Sequence, residues 1–118
     1  MVSDNLRLVM TYVEPERVLD ALGDPTRRTV FLRLRSGQRS VGEIAREMDV
    51  SRPAVSQHLR VLKEAGLVVV RAAGTRRLYE VEPRGIEALR GWLDGIWEEA
   101  LTAFREAAER EAGKERKP

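Results

Sequence analysis

The sequence predicts a mainly α-helical chain with one β-hairpin, an α+β arrangement in which the hairpin follows two short helices directly. Three observations lead there. Apolar residues recur at helical spacing through most of the chain. The period changes to a β-branched and aromatic pattern only in LVVVRAAGTRRLYEVEP, from Leu67 to Pro83. A turn at Asp49-Val50-Ser51 separates one helical stretch from the next.

Met1 to Val13 holds Leu6, Leu8, Val9, Met10, Tyr12 and Val13 without a clean period, and an N-terminal arm is expected over residues 1–13. Glu14-Pro15 opens the first helix, with Val18, Leu19 and Leu22 expected to face inward and Gly23 to end it. Asp24-Pro25-Thr26 starts the second, Asp24 as N-cap and Pro25 at the first helical position. Val30, Phe31 and Leu34 carry that helix to Ser36-Gly37. Arg27 and Arg28 fall in its first turn, where cations oppose the helix dipole, so a compensating carboxylate is expected ahead of a phosphate.

Ser40 and Glu43 have the spacing of a capping box at the start of the third helix. Ser40 is also a candidate phosphate contact, because helix N-termini favour anions. Val41, Ile44, Ala45 and Met48 form the apolar side, with Glu43, Arg46 and Glu47 opposite. Asp49 tolerates the left-handed backbone that a sharp turn needs, Ser51 can cap the next helix, and Pro53 fits only its first turn.

The fourth helix, Arg52 to Glu64, carries the chemistry. Val55, Leu59 and Leu62 make one stripe; Pro53, Ser56, Gln57, Arg60 and Glu64 lie opposite, with Arg52 at the N-terminal edge. Short amide, hydroxyl and guanidinium groups on one face can reach base edges and phosphates. A plain helical bundle could carry the same pattern, and the continuation decides between them. After Gly66 comes a hairpin around Ala73-Gly74-Thr75, with Arg71, Arg76 and Arg77 on its tip and shoulders. Arginines can also guard an exposed hairpin edge, but that does not explain the position directly behind such a helix. Tyr79 and Val81 share the strand face expected to pack on the body, and Arg77, of the same parity, lies nearer the tip.

Pro83 closes the hairpin, and Arg84 to about Ala112 reads as one long helix with Gly91 and Gly95 as weak spots. Its apolar stripe includes Ile86 and Ala100 together with Leu89, Leu93, Ile96, Trp97, Leu101 and Phe104, and Trp92 borders it. One small domain does not cover that much surface. Pairing with the same helix of a second copy gives a twofold homodimer, with Leu89, Trp92, Leu93, Ile96, Trp97, Leu101 and Phe104 as its expected interface. The organisation is then an arm over 1–13, a core over 14–83, a dimerisation helix over 84–112 and a charged, disordered tail over 113–118.

A length of 118 residues suits one domain. Cysteine is absent, which excludes disulfides and thiolate chemistry. No apolar run approaches the ~20 residues of a membrane span and no signal-peptide pattern is present, so a soluble cytoplasmic protein without a membrane role is expected. The formal charge of +2 hides a division. Arg27 to Arg77 holds 12 basic and 4 acidic residues, whereas Glu80 to Glu111 holds 4 basic and 9 acidic ones. A polyanion is attracted by the middle and repelled by the end. An enzyme is not expected: there is no nucleophile–histidine–carboxylate set, no phosphate-binding glycine loop and a single histidine.

From about Val18 to Trp97 the chain resembles the ArsR-type winged helix-turn-helix repressors. The likeness rests on LGDPTRR (Leu22 to Arg28), VGEIARE (Val41 to Glu47), SRPAVSQHLRVLKEAGLV (Ser51 to Val68) and GTRRLYEVEPRGIEALRGWL (Gly74 to Leu93). Asp49 departs from the glycine common in such turns. The resemblance implies a winged helix-turn-helix that dimerises through its terminal helices and represses transcription from a palindromic operator in double-stranded DNA. By correspondence of positions, Arg52, Pro53, Ser56 and Gln57 face bases, while Arg60 and the wing arginines Arg71, Arg76 and Arg77 hold phosphates or enter the minor groove. Many such regulators sense metals through Cys pairs near residues 39 to 44 or through His and carboxylates on the last helix. Here the first region reads Arg39-Ser40-Val41-Gly42-Glu43-Ile44 and the last helix has no His. The chain therefore resembles the metal-independent members with paired tryptophans; no metal site and no cofactor are expected, and an effector ligand or partner protein stays open. His58, matching the family's histidine, is read as a packing or backbone-positioning residue. Two other functions fit the scaffold: a protein-interaction module, and a nonspecific architectural DNA binder.

Overall fold

The computed structural model describes residues 12–115. The arm expected over residues 1–13 and the tail beyond Glu115 thus lie almost wholly outside the described residues. Five helices and one hairpin follow in order: α1 (Pro15–Gly23), α2 (Pro25–Arg33), α3 (Val41–Met48), α4 (Arg52–Glu64), β1 (Val68–Ala73), β2 (Arg76–Val81) and α5 (Pro83–Glu115).

The helix starts are built from local hydrogen bonds, each satisfying a first-turn N–H that has no partner within its own helix. Asp24 accepts from the Arg27 N–H at 2.9 Å, and Ser51 accepts from the Ala54 N–H at 3.3 Å. Ser40 accepts from the Glu43 N–H while Glu43 accepts from the Ser40 N–H, both at 3.2 Å, completing the capping box. Asp49 takes the left-handed conformation at φ 55°, the turn that redirects the chain from α3 into α4. α4 ends in a Schellman motif: Gly66, at φ 82°, donates to the Lys63 carbonyl at 3.0 Å, and Leu67 donates to that of Leu62 at 2.9 Å.

The core lies between the first four helices and the root of the hairpin. Val18, Val30, Ile44, Val55, Leu59, Leu62 and Leu67 are fully buried. Each contributes roughly 1.5–3 kcal/mol relative to an exposed side chain, and together they fix the angle at which α4 is presented. Leu19 departs from expectation: it is 44% exposed, and Ala21 is the buried residue on the following turn.

Arg27 and Arg28 are compensated differently from the ion pair expected. Arg27 Nε donates to the Ala21 carbonyl at 2.7 Å, and Arg28 Nη1 to the Leu22 carbonyl at 2.8 Å. The start of α2 caps the end of α1, whose last turn has no basic residue of its own.

β1 and β2 pair antiparallel from Val68↔Val81 to Ala73↔Arg76, so Ala73 is paired and the turn is only Gly74-Thr75. Gly74 has φ 65° and Thr75 is not in the positive region, the pattern of a type II′ hairpin turn. Tyr79 and Val81 pack against the core as expected. Tyr79 also exchanges two backbone hydrogen bonds with Arg39, at 3.0 and 2.8 Å, which ties the hairpin to the segment before α3.

α5 is one unbroken helix of 33 residues, about 50 Å long. Gly91 and Gly95 do not interrupt it, and it continues to Glu115, three residues into the stretch expected as tail. Its first turns pack on the body through buried Gly85 and half-buried Ala88, Leu89 and Trp92; every residue from Leu93 to Glu115 is exposed.

Candidate nucleic-acid interface

The apolar stripe of α4 is spent in the core, which leaves Arg52, Pro53, Ser56, Gln57 and Arg60 exposed on the other side. Ser40 is half-buried, and its hydroxyl oxygen is engaged as the α3 cap. The wing carries Arg71, Arg76 and Arg77, all exposed. The two groups meet: Arg52, Arg76 and Arg77 line one cleft with Ser40, Val41, Gly42 and Arg46. The sequence reading brought the first three to one functional surface but did not include Arg46.

Half of these cations already have a carboxylate. Arg60 faces Glu64 at 3.4 Å, one helical turn away. Arg71 bonds Glu80, which also accepts from Gln38 at 3.0 Å. Arg76 reaches from the wing to Glu43 at 2.5 Å. Arg46, Arg52 and Arg77 have no carboxylate within 4.0 Å among the described residues. The capping hydrogen bonds from Ser40, followed by the charges of Arg76 and Arg39, hold the Glu43 carboxyl below its usual range. Hydrogen bonds from Arg71 and Gln38 do the same for Glu80.

Arg52 folds back toward α3. A methyl group added at Gly42 would lie 3.1 Å from its Nη2 and 3.3 Å from its Cζ. No local pattern signals that packing, because it depends on the crossing of α3 and α4.

Comparison with known proteins bears on this surface directly. A helix-turn-helix domain family model matches residues 22–71. The HTH-type transcriptional regulator Rv2034 of Mycobacterium tuberculosis is 52% identical over 101 residues, covering 86% of this chain and 94% of that protein. Among solved structures, an ArsR-like transcriptional regulator from Rhodococcus superposes with a TM-score of 0.69 at 28% identity, covering 80% of this chain and 92% of that one. The chain belongs to the ArsR family of winged helix-turn-helix transcriptional regulators. A further neighbour is the homodimeric winged helix-turn-helix DNA-binding domain of a Mycobacterium bovis protein, with a TM-score of 0.58 and 30% identity over 71% of this chain and 78% of that one.

As an ArsR-family regulator the protein is not an enzyme; its relatives are transcriptional regulators. Among the described residues no three His, Cys, Asp or Glu side chains gather as a metal site, and no helix is long and apolar enough to cross a membrane. His58, half-buried on α4, has its Nδ1 buried without a hydrogen-bond partner among the described residues.

Proposed function

We propose that this regulator binds double-stranded DNA sequence-specifically as a cytoplasmic homodimer and represses transcription from a palindromic operator. α4 of each protomer enters a major groove, the two helices one DNA turn or roughly 34 Å apart. Pro53, Ser56 and Gln57 face base edges, with Arg52 at the lip of the groove. Pro53 can offer only apolar contact, for example to a thymine methyl, while Gln57 can donate and accept. Arg60, Arg71, Arg76, Arg77 and Ser40 lie along the sugar–phosphate backbone. The observation that carries this reading is the cleft shared by Arg52 of α4 and Arg76 and Arg77 of the wing, which joins helix and wing into one cationic surface.

The homodimer is supported by the outer part of α5. Leu93, Ile96, Trp97, Leu101 and Phe104 are 39–74% exposed. An apolar row of that length on a projecting helix calls for a partner, and a second copy supplies the same row by twofold symmetry. Leu89 and Trp92, half-buried on the chain's own body, form the inner margin of that interface. Regulation is independent of metal: the chain has no cysteine and α5 has no histidine. Calorimetric titration with zinc, nickel and cadmium is expected to reveal no tight stoichiometric site.

Selection of binding sites from random duplex DNA, followed by a salt titration on the winner, tests the whole reading. An imperfect palindrome and an affinity that falls steeply with salt are expected. Equal affinity for random and selected duplexes would instead mark an architectural binder. No salt-dependent affinity for any duplex would leave a protein-interaction module.

A further inference from the structure

We propose that the cleft bounded by Ser40, Gly42, Arg46, Arg52 and Arg76 seats one backbone phosphate of double-stranded DNA, with Arg46 and Arg52 as standing cations and Glu43 holding Arg76 until the phosphate replaces it. The inference rests on the DNA-binding reading above. It gives Arg46, Glu43 and Gly42 roles that helix periodicity did not assign, and it moves Arg52 from base reading to the backbone.

The charge balance of the cleft carries the first step. Four guanidiniums, from Arg46, Arg52, Arg76 and Arg77, line it. The neighbouring carboxylate, Glu43, is committed to Arg76 and to the α3 cap. Arg46 and Arg52 sit in the same cleft with no carboxylate within 4.0 Å among the described residues. Like charges brought together without a counter-ion repel, and an anion entering between them relieves that repulsion. The partnered arginines Arg60 and Arg71 lie outside the cleft.

Direction carries the second step. Arg52 packs its guanidinium over Gly42, toward α3. A Cβ at position 42 would lie 3.1 Å from Nη2 and push the guanidinium aside by a few tenths of an ångström. A group held there meets the strand bordering the groove before it meets a base.

Exchange is the third step. Glu43 reaches Arg76 across 33 positions of sequence, which places the wing arginine at the cleft wall before DNA arrives. A phosphodiester takes over as its anionic partner, so Arg76 is never left without one. The exchange lowers the affinity for every duplex alike, because Glu43 competes for the same cation.

The test uses the full-length protein, a selected duplex and a scrambled duplex of the same length, each titrated over a salt series. Arg46→Ala and Arg52→Ala are each expected to weaken both duplexes by a similar factor, about tenfold, and to flatten the log–log salt slope by about 0.9. The consensus selected by Arg52→Ala stays that of the wild type. Glu43→Gln keeps the capping box and melts within about 2 °C of wild type, yet binds both duplexes about threefold more tightly. A relaxed consensus for Arg52→Ala, with the scrambled duplex unaffected, would make Arg52 a base reader and overturn the proposal. Weaker binding by Glu43→Gln, or unchanged slopes in both arginine variants, would overturn it equally. Wild-type protein that ignores both duplexes would defeat the DNA-binding reading itself, a result distinct from any variant's failure.

Discussion

The backbone N–H of Gly85 donates to the carbonyl of Gly66 at 3.0 Å, which joins the first turn of α5 to the residue that ends the Schellman turn of α4. Gly85 is buried, and a Cβ there would lie 2.7 Å from that same carbonyl oxygen and 2.9 Å from Leu67 Cδ2. The proposed dimerisation helix is therefore hydrogen-bonded to the turn that terminates the proposed DNA-reading helix.

Gly85→Ala tests this contact. Alanine gains about 1 kcal/mol of helix propensity. The obstacle is backbone that cannot move aside, and such overpacking costs about 1–3 kcal/mol. A net loss of about 1 kcal/mol is expected in urea unfolding, and an unchanged or higher midpoint would show that α5 docks elsewhere.

Gln57→Ala is expected to relax sequence preference at one position of each half-site, at a cost of about 1–3 kcal/mol on the selected duplex. Comparison of the consensus selected by variant and wild type decides the matter. An identical consensus removes Gln57 from the base-reading set.

Arg76→Ala should weaken binding to selected and unrelated duplexes alike and flatten the salt slope by about 0.9. Removing its partner charge also frees Glu43, so the deficit is largest at low salt. A loss confined to the selected duplex would contradict a phosphate role.

Trp97→Glu should shift the protein toward monomer. Trp97 is 64% exposed, so the change costs the monomer little, whereas in a dimer it places a carboxylate inside an apolar seam. Sedimentation velocity at several concentrations reads the outcome. A variant that stays dimeric would place the interface elsewhere.

Acid should destabilise the fold through three carboxylates. The Arg27 N–H lowers the Asp24 carboxyl, the Ser40 cap lowers that of Glu43, and Arg71 with Gln38 lowers that of Glu80. Each group binds its proton more readily in the unfolded chain than in the native one. Their contribution is complete above about pH 5 and is lost as pH falls through the usual carboxylate range to the lower native values. Asp24→Asn preserves an N-cap without the titrating charge, so its melting temperature should fall less between pH 5 and 3 than that of wild type. Parallel melting curves across that range would count against the linkage.

Much of the fold was legible from the chain alone because its signals are local. The capping box at Ser40 and Glu43, the left-handed Asp49, the stop at Gly66 and the stripe of Val55, Leu59 and Leu62 each involve residues within a turn or two of one another. Helical and alternating periods then assign each element a buried side, and that suffices to expose Ser56 and Gln57. What only the tertiary structure decided are contacts between elements whose distance no period encodes. Arg76 on Glu43, Arg52 over Gly42, Arg27 and Arg28 on the carbonyls of α1, and Gly85 against Gly66 all depend on how separate elements pack on one another. The physical reason is reach: an arginine has a long, flexible stem and a head that bonds carboxylates, carbonyls and phosphates alike, so its partner is chosen by what packing brings within range.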